Sequence, residues 1–452
     1  MSELLALGDT LVKRAKENGA EEAEVYIVSK EKDDVNIEKN QIQIGKSMEK
    51  EEVGIRLLVG DRIGFASVNS FEKDDILPKV KEAISIAKTS VENENNIIPE
   101  PNKIENKNKV FDPKSENFDT EDSLGYAKRM LESAKDYDSR IQISTGVFIA
   151  DVKDRAIVNS KGIQAQEKSS NFTYYAVGMA VDGKEVSSFD FKMDGTHYID
   201  EINVENLGRS IAESTVNSLG AKKAENFEGP AIFTPYSLMG IFHFALSQSL
   251  QANRVQKGMS KFKGKIGEQV ADSRLTVRDD SKMEGGFGCR SFDREGLPTP
   301  PINMIKEGNL KNFYHNSYTA NKEGKESTGH ASGGPDQPPK IGPSNLVVTT
   351  GKKSRNELVE EIDKGILVNR FSGNIDPVTG DLSGAVKGGH MIENGEKKFP
   401  VKETMISGNI FEMLTNITGI SKERTSFPTL MGSQSYLFLP FMRFQGLSFT
   451  SD

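Results

Sequence analysis

Apolar residues recur at helical spacing over residues 4–18, where Leu4, Leu5, Leu7, Leu11, Val12 and Ala15 share one side and Gly19 ends the run. Apolar and alternating stretches then predict strands at 24–28, 35–37 and 53–59. Gly60-Asp61 predicts a turn, and the pattern returns as a strand over 63–68. A second helix follows over 74–88, with Ile76, Val80, Ala83, Ile84 and Ala87 on one side.

The same order recurs downstream. Residues 126–135 read as a helix; 141–149, 156–158 and 172–181 read as strands; Asp182-Gly183 is a turn matching Gly60-Asp61; and 204–219 is a helix matching 74–88. Ser67-Val68-Asn69-Ser70-Phe71 aligns with Val186-Ser187-Ser188-Phe189. The chain therefore predicts a duplicated helix–strands–helix unit, about 1–92 and 119–222, forming one N-terminal α+β domain over 1–222. Between the units, 93–118 is rich in Asn, Pro, Lys and Glu and reads as a polar linker or solvated loop.

The texture changes near Gly229. Thr234-Pro235 is a helix start, since Thr caps and Pro at the first helical position loses no needed hydrogen bond. The helix is expected to run to about Gln256, with Leu238, Ile241, Phe242, Ala245, Leu246 and Leu250 as its buried stripe and Gly258 as its stop. Short strands are predicted at 275–277, 346–348, 365–368, 382–386 and 436–439, and helices at 354–363 and 410–415. Residues 223–452 thus predict a mostly β C-terminal domain with few helices and long loops, among them the Gly- and Pro-rich run 327–343.

Composition narrows the function classes. The formal charge is −8 with both signs mixed and no long basic stripe, which argues against nucleic-acid binding. No apolar run is long enough to span a bilayer, and the N-terminus lacks the charged and apolar regions of a signal peptide. Cys289 is the only cysteine, which excludes an intrachain disulfide and Cys-based zinc clusters and fits a reducing cytoplasm.

Candidate chemistry is sparse. His243 sits in the predicted helix and reads as a histidine bonded to a backbone carbonyl, or as an isolated ligand to a shared metal. His315, His330 and His390 fall in loops at spacings that match no zinc pattern, and His197 falls at a strand end. Asp293 and Glu295, two apart, are a carboxylate pair for cation or acid–base work, or a polar turn in which Asp caps backbone N–H groups. Thr328 and His330, in the 327–343 loop, are further groove or interface candidates; Cys289 reads as a thiol whose pKa Arg290 lowers, or, as lone thiols usually are, as incidental.

A series of segments carries a resemblance. They include Lys257-Gly258-Met259-Ser260, Gly264-Lys265-Ile266-Gly267, Asp279-Asp280, Phe292-Asp293-Arg294-Glu295-Gly296-Leu297-Pro298-Thr299 and Ser327-Thr328-Gly329. They continue with Gly365-Ile366-Leu367-Val368, Thr379-Gly380-Asp381, Ile392-Glu393-Asn394-Gly395-Glu396 and Gly408-Asn409. In order and spacing the chain resembles the TldD/PmbA family, in its TldE (PmbA) branch, over nearly its whole length. The resemblance implies a cytoplasmic two-subunit zinc metallopeptidase acting on unfolded or short peptides. TldD-like chains would bind the zinc through His-Glu-x-x-x-His and a later Cys, and TldE-like chains would lack these ligands and pair with them.

Carried over by register, the motif falls on 243–248. His243 matches the first ligand, Phe244 replaces the general base and Gln248 replaces the second ligand; the stretch 418–425 holds no Cys. One imidazole is too few for zinc, Phe accepts no proton and a neutral amide is a poor ligand. The expectation is a subunit that binds no cofactor itself, pairs with a TldD-like catalytic chain, and forms at most a homodimer alone. His243 and Gln248 are five apart, so they do not share a face of a regular α-helix, and Phe and Gln are expected to let this helix stay regular. The alternatives are an independent hydrolase using His243 with Asp293 or Glu295, and a peptide-binding or regulatory module without a peptidase partner.

Overall fold

The computed structural model describes residues 2–43, 45–104, 109–429 and 435–451. Helix Glu3–Glu17 starts at a Ser2 cap and buries Leu11, Val12 and Ala15. Strand Glu22–Glu38 follows and pairs antiparallel with Lys46–Val59, which turns at Gly60 into Arg62–Val68. Helix Lys73–Thr89 closes the unit. The second unit repeats the order: helix Thr120–Tyr137, strands Ile141–Asn159, Gln164–Asp182 and Asp190–Thr196, and helix Val204–Val216. The units join edge to edge, Glu24 opposite Asn159 through Glu38 opposite Thr145, into one antiparallel sheet.

The local match of 67–71 with 186–189 is out of register. Arg62 pairs with Val59 as Glu185 pairs with Asp182, so Val186 occupies the place of Ile63. An interruption at 187–189 then delays the return of the strand to Asp190. The linker also differs from a solvated loop. Ile98 and Val110 are buried, Asn159 donates to Pro99 O at 2.9 Å, and Ser170 N–H donates to Val110 O at 3.0 Å. Residues 105–108 of that stretch lie outside the described residues.

The long strands run through stretches that looked like breaks, such as Ser29–Asp34 and Asp151–Asp154. Alternation explains this. Val25, Ile27 and Ile55 pack under helices Glu3–Glu17 and Lys73–Thr89, while Val35, Ile37 and Phe148 pack under Thr120–Tyr137 and Val204–Val216. Between these two covered regions, Ser29, Glu31, Val152 and Asp154 face a cavity of about 770 Å3. Nothing apolar is required there, so hydrophobic patterning lapses while the hydrogen-bond ladder continues.

The C-terminal half is mostly strand. Its long strand Tyr436–Ser451 pairs antiparallel with Phe227–Phe233, Thr404–Asn409 and Ile417–Pro428, and parallel with Asn345–Val348. Helix Ile410–Thr415 falls where expected; helix Arg355–Glu360 starts at its Ser354 cap as expected but ends before 363. The stripe Leu238, Ile241, Phe242, Ala245, Leu246 and Leu250 is buried in the core on this sheet. Among the described residues no helix is long and apolar enough to cross a membrane.

Candidate functional site

The face of the N-terminal sheet away from its helices carries Glu24, Tyr26, Lys30 and Lys32, with Arg56 and Gly54 on one neighbouring strand and Ile149, Asp151, Lys153 and Arg155 on the other. Part of it is clamped to the C-terminal half. Arg56 donates to Glu295 at 2.8 Å and to Glu24 at 2.6 Å, and Arg294 donates to Glu24 at 3.1 Å. All four side chains are buried. Burial opposes the Arg56 charge, but Glu24 and Glu295 outweigh it and raise its pKa. Ser317 donates its N–H and hydroxyl to Glu295 at 2.8 and 2.6 Å.

Beside this clamp the face opens into a cleft of about 780 Å3, closed on the other side by residues 243–254, by 331–334 and by 340–343. His243, Phe244, Ser247, Gln248 and Gln251 all border it. The helix that presents them is not regular. Residues Pro235–Met239 are α-helical, Gly240–Leu246 form a π-helix, and Ser247 N–H reaches five residues back to Phe242 O. The wider turn brings positions i and i+5 towards one side, and such segments occur often at functional sites. His243 and Gln248 therefore both border the cleft, contrary to the expectation of a regular helix. The helix also stops before Gln256: Gln251 is extended, and Tyr314 N–H and O pair with Leu250 and Ala252.

His243 does not hydrogen-bond a backbone carbonyl through Nδ1, which is buried without a partner among the described residues. Its ring meets Phe244 edge-on at 4.9 Å, and Phe244 is 41% exposed on the rim. Burial pushes the imidazole pKa down to about 4, so it is neutral at physiological pH. Because the folded pKa lies below the unfolded value of 6.5, its contribution to stability is present above pH 6.5 and lost as pH falls towards 4. Proton NMR is expected to show one imidazole titrating near pH 4 that disappears in His243→Gln; a midpoint near 6.5 would contradict the burial.

The donor set does not suit zinc. Phe244 and Gln248 flank His243, strand Ile417–Pro428 contributes no thiol, and among the described residues no three His, Cys, Asp or Glu side chains stand close enough to hold a metal. Cys289 lies in another loop, its thiol donating to Met283 O at 3.1 Å. Burial raises its pKa to about 11, so Arg290 does not make it a reactive thiolate and the incidental reading holds.

The other candidates stand inside the fold. Asp293 and Glu295 lie on a turn, not a groove: Asp293 accepts N–H groups from Glu295 at 2.8 Å, Leu297 at 3.1 Å and Ala331 at 3.0 Å. Burial first, and Glu295 second, push its pKa up to about 7 against those three donors. Neither carboxylate borders the cleft that His243 borders, which removes the basis for a pairing between them. His330 lies 3.1 Å from Asp279 and 2.9 Å from Thr328 Oγ1, the order of an acid–base relay. Yet the Thr328 hydroxyl is engaged by His315 N–H at 2.8 Å, and neither Thr328 nor His330 borders the cleft.

The cleft-lining cations Lys30, Lys32, Lys153 and Arg155 were not singled out from the sequence. Their one legible signal was the two-residue spacing of Lys30 with Lys32 and of Lys153 with Arg155, which puts each pair on one face of a strand.

Comparison with known proteins matches three domains of one family along the chain. The PmbA/TldA metallopeptidase domain 1 matches residues 23–87, the central domain 113–219 and the C-terminal domain 227–451. An uncharacterized protein of Methanocaldococcus jannaschii is 28% identical, covering 80% of this chain and 82% of its own. The metalloprotease PmbA homolog of Buchnera aphidicola is also 28% identical, covering 68% of this chain and 67% of its own. The crystal structure of TldE from Thermococcus kodakarensis has the same fold, with a TM-score of 0.90 and 24% identity over 98% of this chain and 100% of that one. The chain belongs to the PmbA/TldD metallopeptidase family and is similar to its PmbA and TldE members.

Proposed function

We propose that this chain is a TldE-type subunit of a heteromeric metallopeptidase that degrades or processes unfolded or short peptides. The catalytic zinc and general base reside in a TldD-like partner, and this chain contributes a structural half and a peptide-accepting cleft in the cytoplasm. One observation carries the reading. The helix that would hold the metal faces a large cleft, but it offers Phe244 and Gln248 where a base and a second ligand would stand. Peptidase chemistry needs a metal-bound water and a group to accept its proton; one imidazole at 243 is too few ligands to hold the metal, and burial makes it a weak base.

Co-expression with a chain carrying His-Glu-x-x-x-His tests it. The expected result is a stable complex with zinc in the partner and peptide cleavage that survives His243→Ala in this chain. Metal and turnover in this chain alone, or a partner fully active without it and never associated, would sink the proposal.

A further inference from the structure

The chain carries a net −8, yet the cleft beside His243 is cationic. Eight Lys and Arg side chains border it against one carboxylate, that of Asp151. Several of these cations are already neutralised from outside the cleft: Arg155 by Glu167, Arg294 by Glu24, Lys32 by Asp34; Lys30 is paired with Asp151 itself. Arg290 differs. No carboxylate lies within ion-pair distance of it among the described residues, and its Nε and Nη2 are buried without a hydrogen-bond partner there. Arg294, only 2% exposed, leaves its own Nε and Nη2 without partners as well, while its guanidinium stacks 4.0 Å over Tyr26. Arg290 and Arg294 both border the cleft.

A guanidinium presents a planar fork of N–H donors that matches a carboxylate, and burying it without an acceptor is costly. We propose that Arg290 forms an anion subsite of this cleft that anchors a carboxylate of a bound peptide, either its C-terminal carboxylate or an acidic side chain. The proposal rests on the peptide-accepting role given above and adds the chemistry of the substrate. The wall suits a single carboxylate better than a polyanion: most surrounding cations are matched by the chain's own carboxylates, and the overall charge repels a phosphate backbone. Exposed Phe244 on the rim gives the rest of such a peptide an apolar contact.

Fluorescence anisotropy with the full chain alone separates the sources. The probes are a labelled neutral hexapeptide with a free C-terminus, its C-terminal amide, and the amide carrying one internal Glu. The free acid, the Glu peptide or both are expected to bind about tenfold more tightly than the neutral amide. Which of the two does so identifies the carboxylate. Arg290→Gln is expected to erase that tenfold difference and leave the neutral amide unchanged, and Arg254→Gln, on the half-buried helical side, to reduce it less. Equal binding of all three peptides, no binding of any, or an oligonucleotide that binds more tightly than either acidic peptide overturns the proposal. If Arg290→Gln fails to fold, the comparison of peptides on the unaltered chain still decides. Because no partner is present, a negative result leaves the co-expression test standing.

Discussion

Arg56→Ala is expected to lower the free energy of unfolding by about 3–5 kcal/mol, the cost typical of removing one member of a buried ion-pair network. Arg56 bridges two fully buried carboxylates, Glu24 on the same sheet and Glu295 on the C-terminal turn. Without it Glu24 keeps only Arg294, at 3.1 Å, and Glu295 keeps Ser317. Neither carboxylate has solvent to fall back on, so the loss is set by stranded charge more than by the missing attraction. The contact also joins residues 239 positions apart, so the variant is expected to loosen the two halves from each other. Urea unfolding at neutral pH measures the loss. The double variant Arg56→Met, Glu295→Gln should recover part of it, because Glu24 then keeps Arg294 and no buried carboxylate is left without a cation. A change under about 1 kcal/mol in Arg56→Ala would mean that water reaches the network.

The helices and the core were largely legible in the sequence because each answers to a local rule. Leu11, Val12 and Ala15 repeat at helical spacing, Ser354 and Thr234 cap, and the segment over 410–415 is a helix with those limits. Strand ends were lost where burial lapses. Over Ser29–Asp34 and Asp151–Asp154 no helix covers the sheet, so the chain alternates polar residues and reads as a break. The π-helix was not legible at all, since Leu238, Ile241, Phe242, Ala245 and Leu246 satisfy ordinary helical spacing. The register of the degenerate motif was readable through the family resemblance, and the cleft it faces was not. Its walls come from residues as far apart as Lys30 and Gly342, joined only by tertiary structure.

Gly54→Val is expected to destabilise the protein by about 1–3 kcal/mol, the usual range for overpacking, and to do so at the cleft. Gly54 sits inside strand Lys46–Val59, where a β-branched residue would otherwise be favoured and where the backbone is ordinary extended strand. Its smallness answers to space. A Cβ placed there would stand 2.3 Å from Pro335 O and 3.1 Å from Pro335 C and Cα, which are backbone atoms and cannot swing aside like a side chain. Pro335 belongs to the loop whose residues 331–334 and 340–343 close the cleft opposite Lys30 and Lys153. Either the strand or the loop must retreat, and the strand is tied on both sides by its ladders to Glu22–Glu38 and Arg62–Val68. The loop should therefore lift, exposing 333–337 to limited proteolysis at a protease dose that spares the unaltered chain. Gly54→Ala should show the same cut more weakly. A valine variant with unchanged melting temperature and no new cleavage would show that the loop does not rest on this strand in solution, and the cleft would then lack the wall that makes it a peptide-sized site.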